Sequence, residues 1–278
     1  MTVGAESGSL YVVSTPIGNL GDLSYRAVEV LSSASMIVAE DTRHSRRLLD
    51  HYEIKTRCYA YHEHNEARET PKLIRRLKAG ESIALITDAG TPLVSDPGSR
   101  LVGAAIDAGI AVVPIPGASA LLAALVASGL AGETFTFLGF LPRKGKERFA
   151  ALTELMRSRH AAVIYEAPSR VGATLGEIAD AGAGARTAVV ARELTKKFEE
   201  FARGNVSELA QRFRAEPARG EVVILIGPAT AQAPDEANLR SSALRLREQG
   251  SSPREIAERL TVELGAPRNL AYRIAHET

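Results

Sequence analysis

Short apolar runs, each cut off by Gly, Pro, Ser or Thr, recur along most of the chain, and between them apolar residues return every three or four positions. The first pattern reads as buried strands and the second as amphipathic helices. In the first half it predicts strands at 10–13, 36–39, 57–61, 83–86 and 111–115, with helices at 24–31, 45–51, 66–78 and 101–108. Strand-helix alternation of this kind predicts a mainly parallel sheet. Pro71 reads as the true first turn of its helix, and Asp96 as the cap of a helix opened by Pro97 or Gly98.

The stretch from Ile83 to Ser119 organises the pattern. One strand breaks into Thr87-Asp88-Ala89-Gly90-Thr91-Pro92, and the next into Pro116-Gly117-Ala118-Ser119. In an open α/β sheet ligands bind outside the carboxyl ends of strands, where small side chains let the backbone come close. Two such loops side by side suggest a slot for a flat, flexible small molecule, although ordinary tight turns use the same residues.

Beyond a helix at 118–129, residues 134–138 alternate as a half-exposed strand, and 161–165, 187–191 and 221–226 read as further strands. Charged groups gather at two of their ends, Glu166 to Arg170 and Arg192 to Lys197. Residues 228–238 read as a linker, and 239–249, 253–264 and 268–275 as three short helices of helix-turn-helix type. The expected organisation is an α/β domain over 1–117, a second over 118–228 and a small helical tail over 236–278.

Composition narrows the function only a little. A hydrophobic fraction of 45% and a charged fraction of 24% are those of a soluble globular protein, and a net charge of +1 leaves nucleic acid undecided. Cys58 is the only cysteine, which excludes a disulfide framework or multi-thiolate metal site and suits a cytoplasmic location. Residues 1–9 lack the order of a signal peptide and read as a frayed leader. The uncharged stretch 108–132 is interrupted by Pro114, Pro116 and Gly117, so strand, loop and buried helix are expected there, with no membrane span.

Several motifs admit two readings. Glu40-Asp41-Thr42-Arg43 stands at a strand end where chemistry is common, yet a helix cap accounts equally for Asp41 or Thr42. His62-Glu63-His64 lacks an obvious third ligand, so a hydrogen-bonding loop and no metal are expected. Residues 139–148 resemble a phosphate loop, but five residues separate Gly139 from Gly145, and Glu147 follows Lys146. What remains is a flexible loop with Arg143, Lys144, Lys146 and Arg148, either a phosphate-backbone contact or an exposed charged loop.

Six motifs stand in one order: 13–22 (VSTPIGNLGD), 40–44 (EDTRH), 88–98 (DAGTPLVSDPG), 116–120 (PGASA), 165–170 (YEAPSR) and 192–196 (RELTK). In these, over nearly its whole length, the chain resembles the ribosomal RNA small subunit methyltransferase I family, cytidine 2′-O-methyltransferases of the tetrapyrrole methylase superfamily. The resemblance implies a two-domain α/β tetrapyrrole methylase-like fold with a small C-terminal helical unit. It also implies S-adenosylmethionine in the cleft between domains, small-subunit ribosomal RNA, within the assembled subunit, as partner, and a homodimer. The Gly-rich dinucleotide fingerprint is absent, so the implied cofactor site is of a non-Rossmann kind. Gly90, Thr91 and Val94 match one cofactor loop, Ser119 and Ala120 the second, Tyr165 a strand-end contact and Ile17 a contact from the first loop. Most of the superfamily has Gly-Asp-Pro where this chain has Gly90-Thr91-Pro92, so a carboxylate contact is lost or moved to Asp88.

For a 2′-hydroxyl to attack a sulfonium methyl, the enzyme must align the two and help remove a proton. The candidate bases are Asp41, Glu166, Glu193 and a Lys196 whose pKa is lowered by burial or by Arg192; Arg43 and Arg170 are candidates to hold phosphates. Structural ion pairing, for example Arg192 with Glu40, is the alternative for any one of them. Two other functions compete: methylation of a small tetrapyrrole, and a non-catalytic RNA-binding ribosome-assembly factor.

Overall fold

The computed structural model describes residues 8–229 and 236–277. The start of the leader, the middle of the expected linker and Thr278 lie outside the described residues. The chain divides into two compact units, 1–227 and 228–278.

In the first unit, β1 (Leu10–Val13), β2 (Met36–Ala39), β3 (Cys58–Ala60), β4 (Ile83–Leu85) and β5 (Val112–Ile115) form a sheet in the order β3-β2-β4-β1-β5. Every pairing is parallel. Alternate strand residues face opposite sides, and both sides are covered, which is why the strands read as unbroken apolar runs. Tyr11, Ile37 and Ala84 pack with Val30, Leu31 and Leu48 of α1 (Tyr25–Ser33) and α2 (Thr42–His51). Leu10, Val38 and Leu85 pack with Leu73, Leu77 and Leu101 of α3 (Glu66–Lys78) and α4 (Ser99–Asp107).

Two helix starts differ from expectation. Pro71 lies inside α3, because Glu66 to Glu69 are good helix formers and the missing proline N–H leaves only one helical bond unmade. Gly98, at φ 127°, caps α4, and Asp96 does not. The residue before a proline is pushed to extended backbone, and a Cβ at Gly98 would stand 2.8 Å from Leu85 Cδ2, so glycine takes the turn.

The second sheet follows α5 (Ala120–Ser128). Its strands are β6 (Phe135–Phe140), β7 (Ala161–Glu166), β8 (Thr187–Arg192), β9 (Glu200–Asn205) and β10 (Val222–Ile226), in the order β6-β7-β10-β8-β9. Only β6 and β7 pair in parallel; the other pairings are antiparallel. One face packs on α6 (Gly145–Arg157), α7 (Val171–Ile178) and α8 (Val206–Ala215), through Leu155, Leu175 and Phe213. The other face receives Ala124 and Leu125 of α5 against Val163, Val189 and Val223.

Sequence reasoning missed α6, α7, α8 and β9. The last is an edge strand whose residues, Glu-Phe-Ala-Arg-Gly-Asn, form no apolar run, and it is held by pairing to β8 alone. The expected flexible cationic loop is shorter than predicted, since α6 begins at Gly145 and Arg148 is buried inside it. Arg148 bonds Glu177 Oε2 at 2.7 Å, Thr174 Oγ1 at 3.0 Å and the Pro142 carbonyl at 2.9 Å, so it serves the fold. In α7, Gly172 and Gly176 disguise the helix, yet they are what let α8 come close.

The second unit contains α9 (Glu236–Glu248), α10 (Pro253–Leu264) and α11 (Arg268–Glu277) around Leu239, Ile256, Leu260 and Ile274. A reciprocal Ser252–Glu255 capping box opens α10, and Gly265 closes it in left-handed conformation. Arg240 and Arg273 pair with Glu236, and Arg259 with Glu263, so part of this unit's positive charge is neutralised. Among the described residues no helix is long and apolar enough to cross a membrane.

A Cβ at Gly172 would lie 2.7 Å from the Arg214 amide and the Phe213 carbonyl carbon, both backbone atoms. Gly172→Ala is therefore expected to lower stability by about 1–3 kcal/mol in urea unfolding. At Gly103 an added Cβ meets nothing within 4 Å, and Gly103→Ala is expected to raise stability by about 0.4–1 kcal/mol.

Candidate active site

Three loops that leave the carboxyl ends of neighbouring strands are stitched together. Beyond β1, Thr15 exchanges both backbone hydrogen bonds with Gly90, beyond β4, at 2.8 and 3.1 Å. The Ser14 and Thr91 hydroxyls are 3.0 Å apart, and Thr91 donates to the Ala118 carbonyl, beyond β5, at 3.2 Å. Close approach requires glycine on both sides: Gly90 holds φ 86°, and a Cβ at Gly117 would stand 2.9 Å from Ser14 Cβ.

These loops form one wall of a cavity of about 300 Å³, and the ends of β7 and β10 form the other. Ile17, Gly90, Thr91, Val94, Ser119, Ala120 and Tyr165 all line it. The eighth expected cofactor residue does not: Asp88 accepts from the Asp41 amide at 3.1 Å instead. Ser119 caps α5, and the Tyr165 hydroxyl accepts from the Leu121 amide at 3.2 Å, tying the second sheet to the first turn of that helix. The Tyr165 ring meets Phe137 at 5.0 Å and Phe140 at 5.5 Å between centroids, and burial raises its hydroxyl pKa.

The lining contains three carboxylates, Asp96, Glu166 and Glu221, and among the described residues no Lys or Arg. A cavity of this size and sign, walled largely by small and apolar side chains, suits a cationic organic ligand and repels polyphosphates. A sulfonium compound bearing an ammonium group fits that donor set; a nucleoside triphosphate does not.

The expected catalytic residues do not converge. Asp41 caps α2 and pairs with exposed Arg43 at 3.0 Å; hydrogen bonds from Arg43 hold its carboxyl down at about 2, too acidic for a base. Glu166 lines the cavity but is buried and already accepts from the Thr174 hydroxyl at 2.7 Å and the Ala167 amide at 2.9 Å, with Arg170 at 3.5 Å. Glu193 is engaged by Lys196 at 2.9 Å, whose hydrogen bond keeps its pKa low. The expected depression of Lys196 is reversed. Burial does lower its ammonium pKa, but hydrogen bonds from it to Glu193 and Glu221 outweigh burial and leave it above its ordinary value. Arg192 pairs across strands with Glu200 at 2.6 Å, and not with Glu40.

Sequence reasoning assigned Asp96 to a helix cap and so missed it as a site residue. Burial pushes its carboxyl up to about 6, against the Thr87 hydroxyl beside it, and Glu40 and Asp88 add to the rise. The available signal was the proline that follows it, which makes Gly98 the better cap.

The model of the Tetrapyrrole (Corrin/Porphyrin) Methylases matches residues 9–210. A protein of Mesorhizobium japonicum named ribosomal RNA small subunit methyltransferase I is 47% identical, over 96% of this chain and 91% of that protein. One of the same name from Synechocystis sp. is 43% identical, over 97% and 98%. Among solved structures, a uroporphyrin-III C-methyltransferase from Thermus thermophilus complexed with S-adenyl homocysteine superposes with a TM-score of 0.57. It is 18% identical, over 79% of this chain and 97% of that one, and so speaks for the fold alone.

The Ser14–Thr91–Ala118 relay is the side-chain part of the stitching. Thr91→Val keeps the shape and removes the hydroxyl, leaving buried Ser14 without that partner; the expected cost is about 1–3 kcal/mol in denaturant unfolding. Thr91→Ser is expected to restore most of it.

Proposed function

The chain belongs to the tetrapyrrole (corrin/porphyrin) methylase family, and we propose that it uses S-adenosylmethionine to methylate the 2′-hydroxyl of a cytidine ribose in small-subunit ribosomal RNA. The likeness along almost the whole chain to proteins named for small-subunit ribosomal RNA methylation carries this reading. The cavity, lined by Asp96 outside any ion pair and, among the described residues, by no Lys or Arg, supports it, because the methyl donor is a cation. Bound S-adenosylmethionine supplies an electrophilic methyl group; the remaining work falls to the chain.

In this reading Gly90, Thr91, Ser119 and Ala120 bring backbone close to the donor, and Ile17 and Tyr165 flank it. Holding donor and hydroxyl in line supplies much of the acceleration, so a rigid stitched wall matters more than an unusual nucleophile. Arg143, Lys144 and Lys146, exposed and three to six residues beyond cavity-lining Phe140, take the RNA backbone; Arg148 does not share that role. The substrate is the assembled small subunit, in the cytoplasm, and the enzyme acts as a homodimer. Leu122 and Val126, one turn apart on α5 and 51% and 74% exposed, favour the latter. Methylation of a tetrapyrrole is disfavoured, since the carboxylates of such a substrate would face Asp96, Glu166 and Glu221.

Incubated with S-adenosylmethionine and small subunits from a strain lacking the modification, the protein is expected to place a 2′-O-methyl group on a cytidine, mapped by resistance to alkaline cleavage. Absence of transfer to both subunits and naked RNA overturns the proposal. Replacing Arg143, Lys144 and Lys146 together by Ala is expected to weaken RNA binding and flatten its log–log salt dependence by about 3, with donor affinity unchanged in calorimetry.

A further inference from the structure

We propose that Asp96 is the general base of the transfer, taking the proton of the ribose 2′-hydroxyl as the methyl group reaches the oxygen. This rests on the methyltransfer reading above and deepens it. Three carboxylates line the cavity, and two are already engaged: Glu166 by the Thr174 hydroxyl, the Ala167 amide and Arg170, and Glu221 by Lys196 at 3.0 Å. Asp96 makes no ion pair among the described residues, and it faces the cavity from the loop that follows β4.

That loop holds an unusual course. Leu93 at φ 72° and Ser95 at φ 69° occupy the left-handed region that side chains avoid, on either side of Val94, which also lines the cavity. Such conformations persist where surrounding structure enforces them, commonly at functional sites. Gly98 takes over the helix cap, so Asp96 is not committed to α4.

The groups around Asp96 are Glu40 from the end of β2, Asp88 beyond β4, Tyr165 on β7 and the Thr87 hydroxyl. None is a cation, so nothing lowers its basicity by charge. A carboxyl at about 6 is ionised at neutral pH yet far more basic than an exposed aspartate, as a general base requires. In the step, the bond between methyl carbon and sulfur breaks with its electron pair left on sulfur. The bond between O2′ and the methyl carbon forms, and the hydroxyl proton passes to the Asp96 carboxylate and then to water.

The test compares wild type, Asp96→Asn and Asp96→Glu in single-turnover transfer to unmodified small subunits between about pH 5 and about pH 9, with donor affinity measured by calorimetry. The wild-type rate should climb about fivefold from pH 5 to pH 6, be half-maximal near pH 6 and level above about pH 7. Asp96→Asn should lose on the order of a hundredfold or more in rate, well beyond whatever donor affinity the removal of one cavity charge costs, and should lose that pH dependence. Asp96→Glu should recover part of the rate. An Asn variant that transfers at the wild-type rate, or whose rate falls in proportion to lost donor affinity, overturns the assignment, the second outcome making Asp96 a donor ligand. Absence of transfer by the wild type would instead overturn the methyltransfer reading.

Discussion

The reciprocal backbone pair between Thr15 and Gly90 is the constraint on which the site depends. Parallel strands β4, β1 and β5 release their chains at one edge of the sheet, and three loops there would separate if each satisfied its own polar groups. The pair makes the loops partners of one another, and the Ser14–Thr91–Ala118 relay extends the link to the third. A wall built from shared hydrogen bonds keeps its shape without a ligand. Preorganisation of that kind favours a reaction whose chief demand is alignment.

The opposite wall works differently. Tyr165 reaches from β7 to the first turn of α5, so the second sheet is registered against the helix that follows the third loop. Charge then divides the site. Near the second sheet's strand ends, Glu193, Lys196, Glu221, Arg192, Glu200 and Arg212 satisfy one another in ion pairs. In the cavity between the walls Asp96 stands outside any ion pair among the described residues, a charge suited to a sulfonium. Exposed positive charge, Arg143, Lys144 and Lys146, sits outside it, around the start of α6.

The sheet and its loops were legible because burial on both faces leaves apolar runs such as Ile83 to Ile86, and because Gly90 and Gly117 mark places where backbone meets backbone. Helices α6 to α8 were less legible. Gly172 and Gly176 argue against a helix by propensity, and only the approach of α8 explains them. Edge strand β9 carries no apolar run, because its partner supplies the hydrogen bonds and it buries little.

The sequence by itself determined the alternation of strands and helices and the two loops of small residues. These follow from local rules of burial and turn chemistry. Only the tertiary structure decided which charges are free. Asp41, Glu193 and Lys196 have the same side-chain chemistry as any base, but their basicity depends on partners and burial that spacing along the chain does not encode. Arg148, four residues from exposed Lys144, is buried against Glu177, twenty-nine positions away. Asp96 became a site residue by the same logic, through a cavity assembled from both sheets.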